Sequence, residues 1–345
     1  MTTRTAAIAL VLTLLAATSA FADYASRALT PPRKIVVGTT VADFRGDLPA
    51  RLDLAGKLLD EAARSAADRF GRGLDLMVLP EFALASSDGA SAAQAVPLAG
   101  PVLDTVGAKA RQHHTWIIAP MVLREADRVS NAAVLFDRTG GVAGIFRKNH
   151  PIPDERGVFE GGVTPGDGFP VFETDFGQLG ILICWDMAYE DAWDRLAASG
   201  AEIVALPSAS PQTLRPSAEA LRHHYYVVTS TPKDNATVFD PIGRTIAQVT
   251  NRPGVLVHQL DLAYAILHWS ENLHNGQALT ERFGDKVGYL YSDREDTGVF
   301  WSNDPHTAIG QMIQALGLRE MPVQVEAIER QVEASRAASS SSRPR

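Results

Sequence analysis

Leu179-Gly-Ile-Leu-Ile-Cys184-Trp-Asp-Met-Ala-Tyr-Glu190 joins an apolar, β-branched run to a helical pattern, and the join falls at the only cysteine of the chain. Beyond it, Tyr189, Ala192, Trp193, Leu196 and Ala197 recur at the spacing of one buried helix face. The pattern predicts a strand that turns into a helix at Cys184. A thiol at such an elbow stands clear of its sheet, and the first N–H groups of the helix are expected to favour thiolate over thiol. The competing reading of a lone cysteine in an apolar run is a buried structural residue, so the rest of the chain has to decide.

Working outward, Val171-Phe-Glu-Thr and Leu179 to Cys184 read as strands around a turn at Asp175-Phe-Gly177, and Gly200 closes the elbow helix. Next comes Ala201-Glu-Ile-Val-Ala-Leu-Pro207-Ser208, which echoes Leu74-Asp-Leu-Met-Val-Leu-Pro80-Glu81. Each follows an amphipathic helix, and each ends in Leu-Pro plus a polar residue. The echo suggests two similar halves whose equivalent strand ends face one site. The helix before the earlier copy is marked by Leu48, Leu52, Ala55, Leu59, Ala62, Ala66 and Phe70, with Asp47 as its cap and Gly71 or Gly73 as its stop. Lys34 to Ala42 and Trp116 to Leu123 read as strands, Val102 to His113 as a helix. Asn131 to Lys148 is a hairpin around Thr139-Gly-Gly141, and Pro151 to Gly168 is a Pro- and Gly-rich loop of a length that is often functional. A helix near Pro216 to His224 and strands at Tyr225, Ala236 and Gly254 complete an alternation that argues for an α/β layered fold.

The 345 residues are 46% hydrophobic and 21% charged, the balance of a globular enzyme, and the net charge of -8 offers no basic surface for nucleic acid or an anionic membrane. At the start, Arg4 precedes the short apolar run Ala6 to Ala17, and Ala20-Phe-Ala22 has small residues where a signal peptidase reads them. Residues 1–22 are therefore expected to be a signal peptide, with the mature protein exported to a periplasm or secreted and free of the membrane. One cysteine cannot form a disulfide within the chain, and an unpaired thiol in an oxidising compartment is a liability unless its chemistry is needed. Residues 33–268 carry the alternating pattern, 269–330 read as a C-terminal extension, and 331–345 as a disordered tail on composition.

Three polar residues stand at the ends of apolar strands: Glu81 after Leu79-Pro80, Lys148 after Phe146-Arg147, and Cys184 after Leu182-Ile183. Leu79-Pro80-Glu81-Phe82, Phe146-Arg147-Lys148-Asn149-His150 and Gly180-Ile-Leu-Ile-Cys184-Trp185-Asp186 together resemble the three signature motifs of the nitrilase, or carbon-nitrogen hydrolase, superfamily, in that family's order and at its intervals. The resemblance implies a four-layer α-β-β-α sandwich and a Glu-Lys-Cys triad. Cys184 would be the nucleophile, Glu81 the general base, and Lys148 with the backbone N–H of Trp185 the oxyanion donors. The loop Ile152 to Glu160 resembles that of the N-carbamoyl-type amidases, and Glu160 aligns as a second glutamate, with Glu155 as competitor. The structural alternative for Glu81 and Lys148 is a plain ion pair.

The implied activity is thiol-dependent hydrolysis of a linear, non-peptide C–N bond in a small amide or N-carbamoyl compound, with no cofactor and no metal. A nitrilase, an acyl transferase and a catalytically silent binding protein are the alternatives. His113-His114 and His223-His224 lack a metal-binding spacing, and no Gly-x-Ser-x-Gly elbow occurs. The family resemblance also implies a homo-oligomer.

Overall fold

Asp47 accepts a hydrogen bond from Ala50 N at 3.0 Å and so opens helix α1, Leu48–Phe70, which Gly71 closes in the left-handed region at φ +64°. Its buried stripe, Leu52, Ala55, Leu59, Ala62 and Ala66, follows the spacing read from the sequence. The helix belongs to a computed structural model that describes residues 27–341, with side chains to 337; the proposed signal peptide lies outside the described residues. Residues 34–260 form one unit, and residues 27–33 with 261–341 form a second.

In the larger unit, β1 (Lys34–Val41), α1, β2 (Leu76–Val78), β3 (Val96–Pro97), α2 (Pro101–His113), β4 (Trp116–Arg124), β5 (Val129–Phe136) and β6 (Val142–Arg147) come first. After them follow β7 (Val171–Glu173), β8 (Gln178–Ile181), α3 (Glu190–Ala198), β9 (Ile203–Pro207), α4 (Leu214–His223), β10 (Tyr226–Ser230), β11 (Ala236–Phe239), β12 (Thr245–Val249) and β13 (Gly254–Asp261). The first sheet has the order β13-β1-β2-β4-β5-β6, with β3 beside β4, and the second β12-β11-β10-β9-β8-β7.

The weak echo in the sequence has a counterpart here. In the first sheet β1, β2 and β4 are parallel and β5 and β6 return antiparallel. In the second, β8, β9 and β10 are parallel and β11 and β12 return antiparallel. By this order β2 corresponds to β9, so Glu81 and Ser208 follow equivalent strands. The sheets meet face to face, tied where Thr39 Oγ1 donates to Thr229 O at 2.6 Å and Ala42 N to Thr231 O at 3.0 Å. Apolar side chains of α1 and α2 cover the outer face of the first sheet in one buried cluster that includes Leu59, Val106, Met77 and Phe136, and α4 lies against β10 and β11 of the second. The architecture is the four-layer α-β-β-α sandwich.

The smaller unit takes in the segment read from sequence as a C-terminal extension. It holds a three-stranded antiparallel sheet of order β14-β16-β15, from β14 (Tyr264–His268), β15 (Val287–Ser292) and β16 (Thr297–Ser302), together with α5 (Gln277–Phe283), α6 (Ile309–Gln314) and α7 (Met321–Ser341). Leu267, Leu279, Phe300, Ile309 and Met312 form its core. Short strands rich in Tyr, Trp and Gly hide their alternation, which is why composition alone missed them. Helix α7 also runs through residues assigned above to a disordered tail. Alanines with high helix propensity and a Glu326–Arg330 pair at 3.1 Å, one turn apart, favour the helix there. No helix among the described residues is long and apolar enough to cross a membrane.

Candidate active site

Each candidate residue leaves the end of a strand. Glu81 follows β2 and Pro80, Lys148 follows β6, and Cys184 lies three residues beyond β8. The chain is bent sharply at Cys184 and just after Glu81, and again at Glu160 in the loop beyond Lys148. Cys184 at φ +46°, Glu160 at +38° and Phe82 at +59° are non-glycine residues in the left-handed region, a conformation that costs about 1–3 kcal/mol per residue and persists where the surroundings enforce it. A buried guanidinium supports the Glu81 turn: Arg51 donates to the carbonyl oxygens of Phe82 (3.1 Å), Ala83 (3.3 Å) and Ser87 (3.1 Å).

The elbow itself is tighter than the sequence suggested. Cys184–Ala188 is a 3-10 turn, and the α-helix starts only at Glu190. Asp186, fully buried, stitches it to the Lys148 segment, since its carboxylate accepts from Ile183 N (3.1 Å), Asn149 N (3.1 Å) and His150 N (2.8 Å). The N–H groups of Cys184 and Trp185 precede the first bond of the turn, Asp186 N to Ile183 O, where a helix leaves its leading donors without partners of its own.

Lys148 Nζ donates to Glu81 Oε1 at 2.9 Å and to Glu160 Oε1 at 2.5 Å. All three side chains are buried, at 2%, 1% and 9% exposure. The structure thus brings Glu160 to the lysine, whereas Glu155 lies exposed in the loop. Asn131 donates from Nδ2 to Glu81 Oε1 and to Glu160 Oε2, both at 2.9 Å. From the second sheet, Ala209 N donates to Glu81 Oε2 at 2.8 Å, so the strand ends that echo each other in sequence converge on one carboxylate. Glu81, Lys148 and Ser208 are the polar neighbours that bear on the Cys184 thiol.

The electrostatics correct one expectation. Burial and the Glu81 carboxylate push the Cys184 thiol up to about 12, against the pull of Lys148 and Ser208. A single 3-10 turn supplies too little dipole to reverse that, and the resting residue is a thiol. Burial works against the Lys148 charge, but the Glu81 and Glu160 carboxylates outweigh it and hold the ammonium firmly protonated. Two hydrogen-bonding positions in the cluster stay open. Glu81 has roughly four lone-pair sites, of which Lys148, Asn131 and Ala209 fill three, leaving one on Oε2. Lys148 has three N–H donors and spends two on carboxylates.

Asn131, Ser208 and Asp186 were not recognised as site residues from sequence. The Leu-Pro echo pointed at Ser208, and Asn131 is the polar head of an otherwise apolar stretch of β5; neither signal says what the side chain meets.

The carbon-nitrogen hydrolase family model matches residues 34–267. The chain belongs to the carbon-nitrogen hydrolase family. It is 35% identical over 169 residues to a Pseudomonas protegens protein described as a hydrolase in the pqqF 5' region, a match covering 47% of this chain and 56% of that one. To the deaminated glutathione amidase of Yersinia enterocolitica it is 32% identical over 149 residues, 40% of this chain and 52% of the relative. The chain thus spans about half the length of these curated relatives. Nit3 of Saccharomyces cerevisiae, a nitrilase-superfamily member of known structure, superposes with a TM-score of 0.57 at 21% identity, over 68% of this chain and 92% of Nit3. The family's fold is therefore the fold described above.

Proposed function

We propose that the chain hydrolyses a linear C–N bond of a small amide or N-carbamoyl compound through a thioester on Cys184. The observation that carries this reading is the buried Lys148, whose two carboxylate partners leave one N–H donor and one Glu81 lone pair free beside the thiol. As substrate binds, the Cys184 proton passes to Glu81 Oε2 while sulfur attacks the carbonyl carbon. The C=O electron pair moves onto oxygen, where the remaining Lys148 donor and the Trp185 N–H receive it. Collapse breaks the C–N bond, and the nitrogen leaves with the proton from Glu81. Water then gives a proton to Glu81 and attacks the thioester, and the departing sulfur takes that proton back.

The high position of the thiol suits this sequence, because proton transfer is coupled to attack and no reactive thiolate stands free between turnovers. An amidase-named relative and the family's activity support an amide-type substrate. Export of the mature protein belongs to the same reading and rests on the Arg4 to Ala22 pattern. Mass measurement of the protein from the periplasm of an expressing cell should give a chain beginning at Asp23.

Ammonia or amine release from a panel of amides, N-carbamoyl compounds and nitriles, by the protein and by Cys184→Ala, tests the catalytic claim. Turnover by the first and none by the second is expected, with an acyl mass trapped on Cys184. Identical behaviour on every compound sinks it, and turnover of nitriles alone moves the reading to a nitrilase.

A further inference from the structure

Asn131 is 1% exposed and sits on β5 beside the exit of β6, where its own carbonyl accepts the Lys148 N–H at 2.9 Å. Its amide NH2 spends both hydrogens on carboxylates, Glu81 and Glu160, each at 2.9 Å. Lys148 bridges the same two carboxylates, so Lys148, Glu81, Asn131 and Glu160 form a closed ring of hydrogen bonds. The other end of the amide tells more. Asn131 Oδ1 is buried without a hydrogen-bond partner among the described residues. Turning the amide over would aim Oδ1 at two acceptors, so the carboxylates dictate the orientation and the orphaned oxygen is its consequence.

We infer that Asn131 is a positioning residue for the reaction: by clamping Glu81 and Glu160 from the side opposite Lys148, it keeps the open lone pair of Glu81 aimed at the Cys184 thiol. This rests on the reading of Glu81 as the base. Without the clamp, Glu81 keeps Lys148 on Oε1 and the Ala209 N–H on Oε2 but can tilt about the line through its two oxygens, and Glu160 is left on Lys148 and the Ile152 N–H. A misplacement of about 1 Å at a reacting group costs about a hundredfold.

The test uses iodoacetamide, which reads the thiol without knowledge of the natural substrate. The rate of Cys184 alkylation at neutral pH is followed by mass for the unmodified protein, Asn131→Ala, Glu81→Gln and the double variant. Asn131→Ala is expected to react about 10- to 100-fold more slowly, and the double variant no more slowly than Glu81→Gln, because both changes act through one carboxylate. On whichever compound the protein turns over, kcat should fall with KM within about twofold. Asn131→Ser, which keeps one donor, should lie between and serves if Asn131→Ala does not fold. Reaction of Asn131→Ala, or failing that Asn131→Ser, within twofold of the unmodified protein overturns the inference. So does a double variant slowed by the product of the single effects. A thiol that iodoacetamide leaves untouched in the unmodified protein overturns this inference together with the proposed function, whereas a reactive thiol indifferent to Asn131 overturns this one alone.

Discussion

Two clusters of opposite charges sit at the two ends of β2. Beyond its end, Lys148 stands between Glu81 and Glu160; before its start, Asp75 pairs with Arg72 at 2.9 Å and with Arg138 at 2.8 Å, and Arg138 reaches on to Asp175 at 2.5 Å. In the second cluster two guanidinium groups face two carboxylates, the charges balance, and the outer members are in contact with water, with Asp175 53% exposed. Asp75 spends its oxygens on Val36 N and the arginines, and Asp175 takes Trp116 Nε1 as well. In the first, two carboxylates face one ammonium at near-complete burial, and an acceptor site and a donor are left over. An unbalanced, desolvated cluster with open valences is a poor way to gain stability. The contrast weighs against the structural alternative for Glu81 and Lys148, since a pair that holds the fold together is expected to resemble the one around Asp75.

Removing Lys148 should show the difference at its largest. Lys148→Met leaves two carboxylates buried with no cation, so a loss of about 3–5 kcal/mol in urea unfolding is expected, with turnover down by about a hundred- to a thousandfold. A variant as stable as the parent and within tenfold of its activity would place the two clusters in one class. Next in size, Glu160→Gln keeps the shape and removes one charge from Lys148, for an expected drop in kcat of about 10- to 100-fold. Glu155→Gln, altering an exposed loop residue, should stay within about twofold; equal effects of the two would remove the distinction drawn from the geometry.

That distinction marks where the sequence stopped. The strand ends carrying Glu81, Lys148 and Cys184 were legible because apolar runs and prolines announce them, and α1 because its caps and stripe are local. Glu160 against Glu155 was left open, since a loop closes onto a lysine by tertiary contact that no local spacing records. The elbow was read correctly as a turn and wrongly as an activator of the thiolate. The expected helix is there but starts only at Glu190, after a 3-10 turn at Cys184, and the neighbour that dominates the thiol, Glu81, is about a hundred residues away in the chain. Asn131 was invisible for the same reason, its meaning being set by two carboxylates from elsewhere.

The buried cluster should also leave a mark on stability at high pH. The unfolded Cys184 thiol ionises near its ordinary value of 9, whereas the folded one holds its proton to about 12. Between those values the folded state binds more protons, so its stability is full below about 9 and falls as pH rises through the window. Lys148, also raised, adds a decline of the same sign at higher pH. Urea midpoints at pH 8 and pH 10 should therefore separate more for the parent than for Cys184→Ser. Equal separations would mean that the thiol is less buried by its surroundings than the geometry requires.

The smallest effect is expected at the balanced cluster. Burial works against the charge of Arg138, and its hydrogen bonds to Asp175 and Asp75 outweigh that and raise its pKa. Arg138→Met nevertheless leaves Asp75 with Arg72 and Val36 N, and leaves Asp175 open to water, so no charge is stranded. The cost should be about 1 kcal/mol at low salt and shrink as salt screens the exposed members, with turnover within about twofold. The deeply buried site offers no such access to salt, so raising ionic strength should close the gap between Arg138→Met and the parent while leaving that of Lys148→Met nearly unchanged. If salt relieves both equally, burial is not what separates the two ends of β2.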